Sequence, residues 1–366
     1  MHKRGVDHLV DQRAQRPRIA DVAHEAGVSK TAVSFAFNSP ERLAPETATR
    51  ILQIAEDLGY TPHPVARMLT QRQTMMIGVL TPQALSVSFS NPSFGAFSEG
   101  VALAAEEHGY GLHFISPLHG SLLGAMSRAT VDGVVAIGLS DSHPEVAQIR
   151  RAGLPIVLVD STALPEHGSV EIDDEGGAYA AASHLAGLGH RDILVLGVEP
   201  PTPGDRDPEG VISRRLRGYR EAFATVGVEI PDDHVLIGPA NIDGGIAITD
   251  RAWEDGHRPT AILAMSDAMA IGAMYALRGL RLDVPGDVSV VGFDDIDLAP
   301  HVDPPLTTVH QPIRRKGEEA VQALLTVVER RGPAKPEHRH LETRLIVRGS
   351  TGPVPTHRRE VAGDRD

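Results

Sequence analysis

Between Ile19 and Asn38 the chain reads IADVAHEAGVSKTAVSFAFN, and four of its polar side chains, Lys30, Thr31, Ser34 and Asn38, fall on one outward face. They offer hydrogen-bond donors and acceptors but no nucleophile set beside a base. That chemistry suits reading rather than bond breaking: such groups reach base edges and phosphates in a DNA groove. The rest of the chain agrees, since it holds no G-x-S-x-G, no G-x-G-x-x-G, no Walker-type GK[ST] and no H-E-x-x-H. Its 18 histidines are scattered rather than paired at ligand spacing. No catalytic residue, cofactor or metal ligand is therefore expected.

The elements that must position those side chains are short helices. Ile19, Val22, Ala23 and Ala26 repeat at the three-and-four spacing of one helical face, and Gly27 ends the first helix. Ser29 is placed to cap the next helix, whose Ala32, Val33 and Ala36 face inward. A third helix opens at Pro45 and carries Ala48, Ile51, Leu52, Ala55 and Leu58 inward as far as Gly59. Three small helices around one apolar knot make a DNA-binding head, the alternative being a helical hairpin with no nucleic-acid role.

Charge divides the chain in the same place. Residues 1–72 hold ten Lys and Arg against eight Asp and Glu, whereas the whole chain of 366 residues has a formal charge of -13. An acidic body repels phosphate and leaves contact with nucleic acid to the head. No cysteine is present, which excludes disulfides and thiolate metal sites. The N-terminal MHKRGVDHLVDQRAQRPR lacks the apolar core of an export signal, and no run approaches a membrane span. A cytoplasmic protein without membrane contact is expected.

From about Met75 short apolar runs alternate with helical stretches. Strands are expected at Met76 to Leu80, Val131 to Ile137, Ile156 to Asp160, Ile193 to Gly197, Ala261 to Ala264 and Val288 to Phe293. Helices are expected at Gly95 to His108, Glu175 to Leu188, Arg215 to Val226, Asp267 to Arg278 and Arg314 to Glu329. Such alternation implies an α/β body with parallel sheets, large enough for two doubly wound subdomains with a cleft between them. The expected division is a helix-turn-helix head at 17–62, a hinge helix and linker at 63–73, a two-part body at 74–351 and a disordered tail at 352–366. The Pro- and Gly-rich stretch from Glu199 to Val211 reads as an insertion at the cleft rim.

The order of these parts resembles the LacI/GalR family of bacterial transcription regulators. The resemblance runs from Ile19 to about Thr351 and rests on DVAHEAGVS, TAVS, APET and LGYTPHPVARML in the head and linker. In the body it rests on IGVL, LGHRDI, MSDAMAIGAM, DVSVVGFDD, PPLTTVHQP and RLIVRGST. It implies a homodimeric repressor on a pseudo-palindromic operator, with a body similar to periplasmic binding proteins that closes around a small effector such as a sugar or nucleoside. It also implies that Val65, Ala66 and Leu69 form a hinge helix, with Leu69 wedged into the minor groove and Val65 and Ala66 against the partner helix. One helical turn or two is marginal alone, so this segment should order on DNA; the alternative has Leu69 packing on the body.

Within the head, Lys30 and Thr31 are expected to read bases, while Ser29, Ser34, Asn38 and Thr47 position the DNA backbone. Phe35 departs from the family, which has arginine after the TVS-like triplet. It shares the outward face of Thr31 and could meet a thymine methyl, or it could be buried in the head. Ala44 stands where relatives often carry serine, which removes a possible cap or phosphate contact. For the effector, the resemblance implies Asp160 and Arg215 on opposite sides of the cleft, completed by Ser266 and Asp294, with Phe94 in an NPSF turn as an apolar wall. Two carboxylates and a guanidinium suit a ligand rich in hydroxyls or ring nitrogens. The alternatives are that Asp160 and Asp294 cap helices and that Arg215 belongs to a surface ion pair. Two rival classes remain: a solute-binding protein would need an export signal and leave the head unused, and an enzyme would need a nucleophile or cofactor loop.

Overall fold

A computed structural model describes residues 17–61, 73–117, 122–126, 128–139, 143–161, 167–200, 210–329 and 335–356. The chain divides into two compact units, Met1–Thr74 and Met75–Asp366.

In the first unit, helix α1 (Ile19–Glu25) ends where Gly27 takes a φ of 63°, a left-handed turn that glycine enters without steric cost. Helix α2 (Lys30–Asn38) follows, and the Ser29 hydroxyl accepts from the Ala32 amide at 3.1 Å, the expected cap. Helix α3 (Pro45–Asp57) starts on proline, and Ala44 supplies it with no side-chain cap. Val22, Ala26, Val33, Ala36, Ile51 and Ala55 close the core. Two residues expected inside are not: Leu52 is 39% exposed and Leu58 37%. Ile51 and Ala55 already fill the inward stripe of α3. Leu52 lies about 100° around the helix from Ile51, and Leu58 is its C-cap, so three short helices cannot cover them.

The second unit contains two six-stranded sheets. The strands are β1 (Met76–Leu80), β2 (Gly111–Ile115), β3 (Gly133–Ile137), β4 (Ile156–Val159), β5 (Gly168–Ile172), β6 (Ile193–Val198), β7 (Val235–Gly238), β8 (Ala261–Ala264), β9 (Ser289–Asp294), β10 (Thr307–His310), β11 (His338–Leu341) and β12 (Arg344–Ile346). One sheet runs β11-β5-β4-β3-β1-β2, all parallel. The other runs β12-β10-β9-β8-β6-β7, with only β12 antiparallel. All six expected strands are present with shifts of one or two residues. Those not anticipated are β2, β5, β7, β10, β11 and β12: most border an edge or carry polar residues, such as the buried Thr307 and Thr308, and so lack a continuous apolar run.

Between the strands lie α4 (Leu85–Ser88), α5 (Pro92–Glu107), α6 (Leu122–Met126), α7 (Pro144–Arg151), α8 (Asp174–Gly187), α9 (Val211–Ala224), α10 (Ile242–Glu254), α11 (Asp267–Gly279) and α12 (Ile313–Val328). The NPSF segment is the capped start of α5 rather than a turn, because Asn91 accepts from the Ser93 amide at 2.9 Å and Pro92 fits the first helical position. Helix α12 packs on α5 and on β3, β4 and β5, so it belongs to the first sheet although it follows a strand of the second. Among the described residues the chain thus passes between sheets three times, near Asp173, near Gln311 and Pro312, and near Glu342 and Thr343. The Thr343 hydroxyl donates to the Asp173 carbonyl at 3.2 Å and ties two crossings together.

The expected disordered tail begins too early. Gly352 donates to Ser289 Oγ at 3.0 Å and accepts from His190 Nε2 at 3.0 Å, and the Val354 amide donates to the Leu188 carbonyl at 3.0 Å. These bonds satisfy backbone groups that a free tail would leave to water. Among the described residues no helix is long and apolar enough to cross a membrane.

Candidate effector cleft and DNA-reading head

On the head, Lys30 and Thr31 are exposed in the first turn of α2, and helical geometry sets Thr31 on the side opposite buried Val33. Phe35 is half-buried. Its ring lies under the guanidinium of Arg42, with Cζ 5.2 Å from the centroid. Sequence reasoning gave Arg42 no role, and only the one-turn helix Pro40–Arg42 brings it back toward α2. Ser34 and Asn38 face outward less than expected. Asn38 Nδ2 donates to the Ser34 carbonyl at 3.0 Å and lies 3.4 Å from Ser34 Oγ, so both side chains are partly committed to the end of their own helix. Ser29 is occupied as the α2 cap, and Thr47 is half-buried in the first turn of α3. Val65, Ala66 and Leu69 lie outside the described residues.

In the second unit a cavity of about 1050 Å³ opens between the two sheets, at the C-terminal ends of their strands. All five expected cleft residues line it: Phe94, Asp160, Arg215, Ser266 and Asp294. Asp160 follows β4 with φ 60°, and Asp294 ends β9 with φ 134°, conformations uncommon for residues with a side chain. Neither caps a helix among the described residues. Ser266 does, accepting from the Met269 amide at 3.3 Å as the first residue before α11. Phe94, in the first turn of α5, packs edge-on to Phe89 at 5.0 Å and against Phe114 at 6.2 Å, so the apolar wall is an aromatic cluster.

Arg215 is buried rather than at the surface. Its Nε donates to Asp174 Oδ1 at 2.8 Å, its Nη1 to the Met265 carbonyl at 2.6 Å, and its guanidinium carbon lies 3.6 Å from the Phe293 ring centroid. Arg214 Nη2 takes the other Asp174 oxygen at 2.8 Å. Burial pushes the Asp174 carboxyl up, but the Arg215 and Arg214 charges outweigh it and hold it below the usual carboxylate range. Asp294 differs. Burial raises it, and the Arg215 charge with hydrogen bonds from Ser93 and Gln311 only partly offsets that rise. Those bonds are Ser93 Oγ to Oδ2 at 2.7 Å and Gln311 Nε2 to Oδ1 at 2.5 Å. Ser93 sits on the first-sheet side, so Asp294 bridges the cleft.

Asp160 is held by Lys316, whose Nζ also donates to Gln311 Oε1. Sequence reasoning assigned no role to Lys316, Gln311, Asp174, Arg214 or Ser93. Gln311 stood within PPLTTVHQP, and Lys316 interrupts the apolar stripe of Ile313, Ala320 and Leu324 at helical spacing. That interruption was a legible signal. Asp174 and Arg214 carried none, since only the packing of α8 on α9 joins them.

This arrangement can hold a ligand, since donors and acceptors converge on one cavity. Comparison with known proteins bears on both units. Residues 18–63 match the description "bacterial regulatory proteins, lacI family", and residues 182–351 match a periplasmic binding protein-like domain. The chain is 32% identical over 349 residues to the HTH-type transcriptional regulator DegA of Bacillus subtilis (strain 168), covering 92% of this chain and 99% of that one. The solved complex of the regulator CelR with cellobiose aligns at a TM-score of 0.67 and 28% identity, covering 92% of this chain and 100% of that one. The lac repressor dimer bound to operator and the anti-inducer ONPF aligns at 0.76 and 26% identity, with the same coverage.

Proposed function

The chain belongs to the lacI family of bacterial regulatory proteins, and on that premise we propose how its two units divide the work. It is a sequence-specific DNA-binding transcription regulator whose grip on an operator is set allosterically by a small effector, and it acts as a homodimer. It is not an enzyme, since the relatives it matches along more than nine-tenths of its length are transcription regulators. The same matches include the head, which leaves no room for a pure solute-binding protein. We place its action in the cytoplasm, where operator DNA lies.

Repression is its mode, with Lys30, Thr31 and Phe35 reading bases in the major groove and Ser29, Ser34, Asn38 and Thr47 setting the backbone register. Val65, Ala66 and Leu69 form the minor-groove hinge. The effector is a compact, hydroxyl-rich molecule held by Asp160, Arg215, Ser266 and Asp294 against Phe94. The observation that carries this reading is the convergence of these five side chains, contributed by both sheets, on one cavity. CelR, with cellobiose bound, offers a chemical parallel.

Closure of the two sheets about the three crossings is the two-state element. An effector that favours the closure separating the hinge segments lowers operator affinity and induces. One that favours the opposite closure acts as corepressor. The test is a panel of neutral sugars and nucleosides screened by thermal shift, followed by anisotropy titration on operator DNA drawn from upstream of the gene. The expected result is one ligand class that raises the melting temperature and moves operator affinity in one direction. Binding without any change in operator affinity would refute the allosteric part.

A further inference from the structure

Helix α12 turns one stripe inward, Ile313, Gly317, Ala320, Val321 and Leu324, and Lys316 stands in the middle of it with only 3% of its side chain exposed. A methionine would continue that stripe without electrostatic cost, whereas a buried ammonium loses several kcal/mol of hydration unless it is paired. Packing therefore does not ask for this charge. Its surroundings do use it. Nζ donates to Asp160 Oδ1 at 2.5 Å and to Gln311 Oε1 at 2.6 Å, and all three residues line the cavity.

We propose that Lys316 is a specificity-determining residue of the cleft, which makes its first-sheet wall accept neutral hydroxyl-bearing effectors and reject cationic ones. This rests on the effector reading above. Asp160 is the one carboxylate on that wall among the described lining residues, and its charge is answered from within the protein. A ligand ammonium meets a cation there instead of a free carboxylate. A ligand hydroxyl meets a donor, because an ammonium has three N–H groups and the described acceptors use two. Lys316 also fixes the direction of the relay. Since it can only donate, Gln311 must present Oε1 to it and Nε2 to Asp294, which in turn accepts from Ser93.

The test compares the full-length wild type with Lys316→Met and with the double variant Lys316→Met, Asp160→Asn. Ligands are matched pairs in which an amine replaces one hydroxyl: glucose with glucosamine, galactose with galactosamine, and any nucleoside that binds with its amino-deoxy analogue. Titration calorimetry is run at a pH that keeps the amines protonated. Wild type should favour the neutral member by at least about tenfold, the scale of one charge-assisted hydrogen bond. In Lys316→Met the unpaired Asp160 should reverse that preference. The double variant, which removes both charges and so leaves none stranded, should show little discrimination; it decides the matter if Lys316→Met does not fold. A preference unchanged from wild type in the folded variants overturns the role of Lys316 while leaving the cleft as the effector site. Wild-type protein that binds none of the sugars or nucleosides overturns the cleft reading itself.

Discussion

Phe35 lies on α2 beside the proposed base-reading residues Lys30 and Thr31, and Arg42 lays its guanidinium over the ring. A phenyl ring offers no paired donors to guanine, but it can meet a thymine methyl and hold Arg42 in place. Phe35→Arg removes that support and adds a bidentate donor. In a binding-site selection it should shift the preferred operator toward guanine at one position per half-site, with discrimination of about 1–3 kcal/mol; an identical motif would show that residue 35 does not read. A second residue-scale consequence concerns Asp267, whose carboxyl accepts from Thr308 Oγ1 at 2.5 Å and from the Ile296 amide at 2.9 Å. Burial, and then the neighbouring Asp294, push it from 3.8 to about 7. A carboxyl raised on folding contributes its stability fully below its unfolded value and loses it as pH climbs through the folded one. Wild type should therefore lose stability between about pH 4 and pH 7 relative to Asp267→Asn, by roughly 2–4 kcal/mol in total. Urea unfolding of both proteins at several pH values measures it, and a pH-independent difference would mean that Asp267 is ionised in the fold.

At the scale of elements, α5 and α12 approach closely enough that their backbones touch. A Cβ on Gly100 would overlap the Arg314 carbonyl oxygen, and one on Gly317 would overlap the Phe97 carbonyl oxygen. That crossing seats α12 against β3, β4 and β5 and so brings Lys316 to Asp160. Gly317→Ala must push the helices apart and should cost about 1–3 kcal/mol in denaturant unfolding. It should also weaken effector binding, whereas Ala320→Gly, equally buried on the same helix, should lower stability without opening the crossing. Equal effects of the two variants on effector affinity would show that the crossing does not position the site.

Across the whole molecule, the proposed DNA reading and the proposed ligand binding fall in separate units, so on that reading control passes through the proposed hinge and dimer. Linkage makes this measurable from either end, because an effector that changes operator affinity by some factor must itself bind differently by the same factor when DNA is present. Leu69→Ala removes the proposed wedge, and the expected result is a loss of operator affinity with effector affinity for the free protein unchanged. Unchanged operator affinity in a mobility-shift titration would assign Leu69 to packing instead. An effector that binds equally to free and operator-bound wild type would exclude coupling altogether.

The head was legible from residue order because helix periodicity, a glycine stop and a serine cap act over a few residues. Ile19 to Gly27, Ser29 and Pro45 fell where those local rules put them. The central strands were legible for a related reason: a strand covered on both faces tends to read as a continuous apolar run, as in β1 and β8. Asp160, Arg215, Ser266, Asp294 and Phe94 entered through family motifs, and the fold brings all five to one cavity. The anchoring of Gly352 and the links of Lys316 to Asp160 and of Arg214 to Asp174 followed no local rule. Asp160 and Lys316 are 156 residues apart in the chain. Only the return of α12 to the first sheet makes them neighbours, and the field at a buried charge depends on what is near in space rather than in order.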